Sequence, residues 1–145
     1  MTLRPATVDD APAMARILWD CFEISLPFLP QLHTRDDHVG YMLEMLLPHY
    51  SVWVAEADGG VTGYIAFNEG HIQHLYIHPQ SQGQGLGPRL LAKALADGRP
   101  KDLWTFQQNA RARRFYEARG FLAVEFTDGD GNEEKTPDVR YRWTP

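Results

Sequence analysis

The sequence predicts a mixed α/β domain whose elements run in the order βααβββαβαββ. Apolar residues recur with helical period near the N-terminus and again around residue 90, and alternation of period two takes over between residues 51 and 77. The changes of period fall at glycine- or proline-rich breaks, where regular structure is interrupted.

Leu3–Ala6 is a short first strand, and Thr7 or Asp9 can cap the helix after it. In that helix Ala11, Met14, Ala15, Leu18 and Phe22 lie at offsets of 3, 4, 7 and 11 from the first, an amphipathic face. Ile24–His33 is apolar but carries Pro27 and Pro30, which exclude a regular helix or a central strand. A second helix is expected over about Arg35 to Leu47, with Val39, Met42, Leu43, Leu46 and Leu47 apolar, stopping at Pro48.

Ser51–Ala57 and Val61–Asn68 then alternate around Asp58-Gly59-Gly60, a hairpin signal. A tight turn at Glu69-Gly70 leads into the strand His71–Ile77. Regular alternation there puts His71, Gln73, Leu75 and Ile77 on one face and Ile72, His74 and Tyr76 on the other. Leu86, Leu90, Leu91, Ala94 and Leu95 make a helix buried along one side and ended near Asp97-Gly98. Lys101–Phe106 is a strand, Asn109 caps the next helix, and Gly120 sits at its C′ position. Phe121–Phe126 and Val139–Trp143 form a last antiparallel pair, and no internal repeat or low-complexity segment appears.

The bulk properties narrow the class. A length of 145 residues fits one domain, 1–145, long enough for a real core, and 43% apolar residues is a globular composition. One cysteine, Cys21, excludes an internal disulfide framework and suits a reducing compartment; its helical phase makes it a small buried residue. The first ten residues lack the apolar core of a signal peptide and no stretch approaches membrane-spanning length, so a soluble cytoplasmic protein is expected, without a membrane partner. A net charge of −5 with no basic tail disfavours nucleic acid as a partner. In Asp128-Gly129-Asp130-Gly131-Asn132-Glu133 a calcium loop would need glycine where Glu133 stands and a carboxylate where Val139 stands, so a solvated turn is expected and no metal.

The chemistry lies between the strand and the third long helix, in Gln82-Gly83-Gln84-Gly85-Leu86-Gly87-Pro88. Gly83, Gly85 and Gly87 let the backbone turn tightly and approach a ligand. A glycine loop entering a helix N-terminus offers unpaired N–H groups and positive potential, a site for phosphate or pyrophosphate. The spacing excludes a Walker loop, since no Lys-Ser or Lys-Thr follows, and a dinucleotide fingerprint, since the glycines run G-x-G-x-G past mid-chain. Read as Q-x-x-G-x-G directly after a strand, the segment resembles the acetyl-CoA-binding motif of the GNAT superfamily of N-acetyltransferases. Asn109 to Phe121 is similar to that family's second signature, N-x-x-A-x-x-x-Y-x-x-x-G-F, one strand after the glycine-loop helix. The resemblance covers Trp53 to Phe126 well, and the remainder in layout only.

The resemblance implies a mixed, mostly antiparallel central sheet with helices on both faces, and acetyl-CoA as cofactor. It implies that the amides of Gln82, Gly83, Gln84, Gly85, Leu86 and Gly87 bind pyrophosphate. The backbone of Leu75, Tyr76 and Ile77 would pair with the pantetheine arm, the Ile77 amide would serve the oxyanion, and the next strand would splay away. Pro88 stands where a residue with an N–H would add a donor, so one fewer contact is expected. Asn109 would reach the pantetheine arm as well as cap its helix, with Phe115 beside it. Tyr116 matches the tyrosine that protonates the leaving thiolate; alternatively it is core, packed on Phe115. His71 lies where some members carry a base, and its imidazole could take the amine proton. It could equally be a rim residue, with water as the proton's path. Arg111, Arg113, Arg114 and Arg119 could approach phosphates or form an exposed helix face.

The expected function is N-acetyl transfer by direct reaction in a ternary complex, and the alternatives are an acyl-CoA-binding or sensing module and an interaction domain with a structural glycine loop. The acceptor would be a small-molecule or peptide amine, favoured by the acidic field, in a pocket lined by Leu26–His33 and the hairpin after Phe126. A homodimer is left open.

Overall fold

The computed structural model describes residues 1–145. Strands β1 (Thr2–Pro5), β2 (Ser51–Ala57), β3 (Gly60–Phe67) and β4 (Ile72–Ile77) form an antiparallel sheet in that order. Strands β5 (Lys101–Phe106), β6 (Leu122–Thr127) and β7 (Asp138–Trp143) form a second, with β7 in the middle. The sheets join where β4 and β5 begin. There His71 makes a parallel bridge with Asp102, and the Asp102 N–H donates to the Gly70 carbonyl at 2.9 Å.

Lys101 locks that junction. Its side chain is fully buried, and Nζ donates to the carbonyls of Asn68 (2.9 Å) and Glu69 (2.8 Å) and to the Asp97 carboxylate (2.7 Å). Past this point no ladder joins β4 to β5, and the strands part. The mixed, mostly antiparallel sheet is therefore a V with a fastened base.

Helices cover both faces. On one face lie α1 (Ala11–Asp20), which runs on through a π-helical turn over Cys21–Ser25, and α2 (Arg35–Tyr41), which continues through a π-helical stretch over Met42–Leu46 into α3 (Leu47–His49). On the other lie α4 (Leu86–Leu95) and α5 (Ala110–Glu117). The pleat of the first sheet separates two cores: Val54 and Tyr64 pack with Met14, Ile17 and Leu46, whereas Ala55 and Ile65 pack with Leu90, Leu103 and Tyr141. Burying a leucine such as Leu90, fully enclosed, contributes about 1.5–3 kcal/mol. No helix is long and apolar enough to cross a membrane.

Capping follows the side chains. Thr7, not Asp9, starts the first helical turn, and its N–H donates to Asp10 Oδ2 at 2.8 Å. Asp10 also accepts two bonds from the Arg4 guanidinium, at 2.9 and 2.8 Å. Thr34 and Asp37 cap α2 reciprocally, at 3.0 and 2.9 Å.

Two expectations change. The second helix does not stop at Pro48 but runs on to His49, because the widened π-helical turn before it moves the carbonyl that a proline ring would strike. Strand β4 does not alternate evenly either. Ala66 pairs with His74 and Phe67 with Ile72, so Gln73 is an extra residue, a β-bulge. The bulge turns Ile72 onto the same face as Leu75 and Ile77, and sends Gln73 toward α2, where its Nε2 donates to the Tyr41 hydroxyl at 3.1 Å.

Candidate active site

The opening of the V makes a cleft of about 420 Å³, bounded by β4, the start of α4, one face of α5 and the π-helical turn after α1. The strand pairing determines what β4 offers it. His78 N–H donates to the Thr62 carbonyl at 2.8 Å, and Tyr76 stands opposite Tyr64. In an antiparallel ladder hydrogen-bonded residues alternate, so Tyr76 bonds to β3 while Leu75 and Ile77 turn N–H and C=O to the cleft. The Ile77 carbonyl is already held, by Cys21 Sγ at 3.2 Å and Gln82 Nε2 at 3.1 Å. The Ile77 N–H and both polar groups of Leu75 face open space. Of the expected trio, Tyr76 therefore contributes its ring to the lining, not its backbone.

One end of the cleft suits an anion. Gly83 (φ 79°) and Gly85 (φ 81°) are left-handed, and α4 begins without a side-chain cap. The first-turn N–H groups of α4 thus point outward at the positive end of its dipole, and Pro88 supplies none. Gly87 matters for packing instead, since a Cβ there would lie 3.0 Å from the Phe115 ring; this glycine lets α4 and α5 approach. Gln84 is exposed and does not line the cleft. Arg111 and Arg119 do; Arg119 lies 4.0 Å above the Phe115 ring and donates to the Phe115 carbonyl at 3.0 Å. Arg113 is turned away to the Tyr141 hydroxyl (3.0 Å), and Arg114 is exposed.

The end of the cleft at Tyr116 is aromatic. Tyr116 is buried, edge-on to Phe115 and Phe121 at 5.2 Å each, and burial alone pushes its phenol well above the ordinary tyrosine value. Asn109 Oδ1 accepts from Ala112 N–H at 3.2 Å, which caps α5 and leaves the amide nitrogen for the cleft. Cys21 belongs to this wall. Burial pushes its thiol up to about 12, so it stays a proton donor and is no nucleophile at neutral pH. Helical phase marked Cys21 as buried, but nothing in the sequence indicated that its sulfur would reach β4.

His71 is not brought to this end. It sits at the fastened base of the V, half-buried, with Nε2 3.0 Å from Gln73 Oε1. Six steps along the strand separate it from Ile77, about 20 Å at ~3.3 Å per residue. Its neighbour His74 lies behind β4, stacked on Tyr41 and bonded to the Tyr64 hydroxyl at 2.9 Å; burial drives its pKa down to about 3.

The acidic segment after β6 is the expected turn, with Asp128, Asp130, Gly131 and Glu133 exposed, and it is pinned at its base. Asn132 Nδ2 donates to the Thr136 carbonyl at 2.7 Å, Thr136 is buried, and a Cβ on Gly129 would strike the Thr136 backbone. Glu133 meets His33 Nε2 at 2.5 Å, tying this loop to the segment after α1. No group of three His, Cys, Asp or Glu is arranged to hold a metal ion.

This geometry has relatives. An uncharacterized N-acetyltransferase of Archaeoglobus fulgidus is 28% identical over 92% of this chain and 100% of its own. The peptidyl-lysine N-acetyltransferase YiaC of Escherichia coli is 25% identical, with 85% of this chain and 84% of its own aligned. Among solved structures, yncA from Salmonella typhimurium with its cofactor acetyl-CoA superposes with a TM-score of 0.75 at 23% identity, covering 99% of this chain and 92% of that one, a likeness of fold. Residues 48–122 match the family model of the acetyltransferase (GNAT) domain, and with more than half its length so matched the chain belongs to the GNAT family of acetyltransferases.

Proposed function

We propose that this protein is an N-acetyltransferase that carries an acetyl group from acetyl-CoA to a primary amine, by direct transfer within a ternary complex. The observation that carries the proposal is one continuous cleft with three matched parts. It brings together free helix N-terminal amides beside Gly83 and Gly85, the unpaired backbone groups of Leu75 and Ile77, and the Tyr116 side chain. Those are the donors that a pyrophosphate, an amide-bearing arm and a departing thiolate require in turn.

When bound, acetyl-CoA supplies the acetyl group as a thioester. The first turn of α4 would hold its phosphates, with Arg111 and Arg119 adding positive charge, and Leu75 and Asn109 would hold its arm. The Ile77 N–H, on a residue whose own carbonyl is tied by Cys21 and Gln82, would donate to the carbonyl oxygen as negative charge develops on it. Tyr116 keeps its proton at every ordinary pH because burial opposes its ionisation, and gives it to the leaving sulfur.

Calorimetry with acetyl-CoA, followed by thiol release with a panel of small amines, amino acids and lysine peptides, tests this reading. Micromolar binding with amine-dependent thiol release supports it. Binding without release from any amine would favour an acyl-CoA-binding module, and absence of binding would remove the cofactor assignment.

A further inference from the structure

We propose that His78, clamped to Asp20, is a positioning residue that sets the Ile77 N–H and the entry of the glycine loop in register for the reaction. Neither side chain lines the cleft, so both act through residues that do. The assignment rests on the transferase reading above and adds the device by which this chain aims two of its donors.

The imidazole has two bonds that run to different parts of the chain. Nε2 lies 2.8 Å from Asp20 Oδ2, on the last residue of α1, and Nδ1 lies 3.2 Å from the Gln80 nitrogen. A backbone N–H only donates, so Nδ1 is the bare nitrogen and Nε2 carries the proton given to Asp20. One tautomer satisfies both partners. The Asp20 carboxylate has no other hydrogen bond or ion pair. Side-chain exposures of 17% for His78 and 24% for Asp20 set the pair apart from the freely solvated pairs that contribute little.

What the pair holds is the end of the cleft strand. The His78 N–H is committed to the Thr62 carbonyl at 2.8 Å, so β3 holds the backbone and Asp20 holds the side chain. The next residue, Cys21, donates from Sγ to the Ile77 carbonyl at 3.2 Å. Burial, with the Asp20 charge adding to it, keeps that thiol protonated. Two consecutive residues after α1 thus grip two consecutive residues at the end of β4. Leu26 N–H donates to the Cys21 carbonyl at 3.1 Å, five residues back, so the π-helical turn starts at the grip and leads Ser25 and Leu26 into the cleft. On the other side, the Gln80 bond caps the short turn Pro79–Ser81, from which Gln82 and Gly83 enter the cleft wall.

The two arms serve different stages. The Asp20 arm fixes the direction of the Ile77 N–H, a donor used as charge develops in the transition state. The Gln80 arm fixes the start of the loop that holds phosphate before any reaction. A residue that only packed would not separate the two.

One substitution cuts each arm. His78→Asn keeps a side-chain acceptor for the Gln80 N–H but is too short to reach Asp20. His78→Gln extends an amide N–H toward Asp20 and gives up the cap. Both are measured by calorimetry with acetyl-CoA and by thiol release with the most active amine of the panel above. His78→Asn should bind acetyl-CoA as wild type does and lose kcat by about tenfold or more, since a displacement of ~1 Å at the reacting atoms costs up to about 10²-fold. His78→Gln should show the reverse, with acetyl-CoA affinity lowered several-fold and kcat at saturating acetyl-CoA closer to wild type than that of His78→Asn. Asp20→Ala should reproduce His78→Asn, and the double variant should be no slower than either single one, because both remove the same interaction. Additive losses in the double variant, or parallel losses of kcat and affinity in His78→Asn and His78→Gln, overturn the positioning role and leave the transferase reading standing. A wild-type protein inactive with every amine overturns both.

Discussion

Replacing Gly85 by alanine probes the glycine loop with the smallest useful change. Gly85 sits at φ 81° at the start of α4, and a Cβ there meets nothing within 4 Å, so no steric clash enters. What enters is backbone strain, about 1–2 kcal/mol for an L-residue in the left-handed region. The stiffer unfolded chain returns about 0.4–1 kcal/mol, leaving a net loss of about 1 kcal/mol, roughly 3 °C in melting temperature at this size. Gly98, at φ 69° in the turn after α4 and equally open, should respond in the same way to Gly98→Ala. The two variants should part on acetyl-CoA. In Gly85→Ala the added carbon stands beside the free amides, and losing even one charge-assisted hydrogen bond, about 1.5–3 kcal/mol, weakens binding tenfold or more. Calorimetry on both proteins reads the difference. Equal affinities in the two variants would refute the placement of phosphate at this loop.

Two further perturbations address the frame. Lys101→Met keeps the length of the buried side chain but leaves the Asn68 and Glu69 carbonyls without their donor, and should lower stability by about 1–3 kcal/mol, a few degrees in a thermal melt. Asp10 is held below the usual carboxylate range, first by its hydrogen bonds from Arg4. A depressed folded pKa means stabilisation that is complete above the unfolded value of about 3.9 and lost as pH falls through the folded one. Asp10→Asn should therefore melt below wild type at pH 7, and the gap should narrow below about pH 4.

Much of this was legible in the residues. Period and turn chemistry located β2, β3, α1 and α4 within a residue or two, because Asp58-Gly59 and the glycine loop dictate their own backbone. The loop's two left-handed glycines and the capping role of Asn109 likewise follow from local chemistry. What escaped depends on contacts distant in sequence or on register. The bulge at Gln73 arises from pairing with Phe67 and Ala66, so alternation put Ile72 on the wrong face and aligned His71 with Leu75 and Ile77. Pro48 stays helical only because of the π-helical stretch before it. Cys21 meets Ile77 across 56 residues. The acidic loop is the exposed turn that its composition suggested, but its internal ties through Asn132, Gly129 and Thr136 were not legible.

The most direct test of transfer at this cleft is the rate of thiol release by Tyr116→Phe. The substitution keeps the ring contacts with Phe115 and Phe121 and removes only the hydroxyl, whose ionisation burial alone opposes. If Tyr116 protonates the departing thiolate, kcat should fall by roughly 10²–10⁴ while calorimetry finds acetyl-CoA bound as in wild type. A kcat within a few-fold of wild type would contradict that role and leave Tyr116 as packing between α5 and the second sheet.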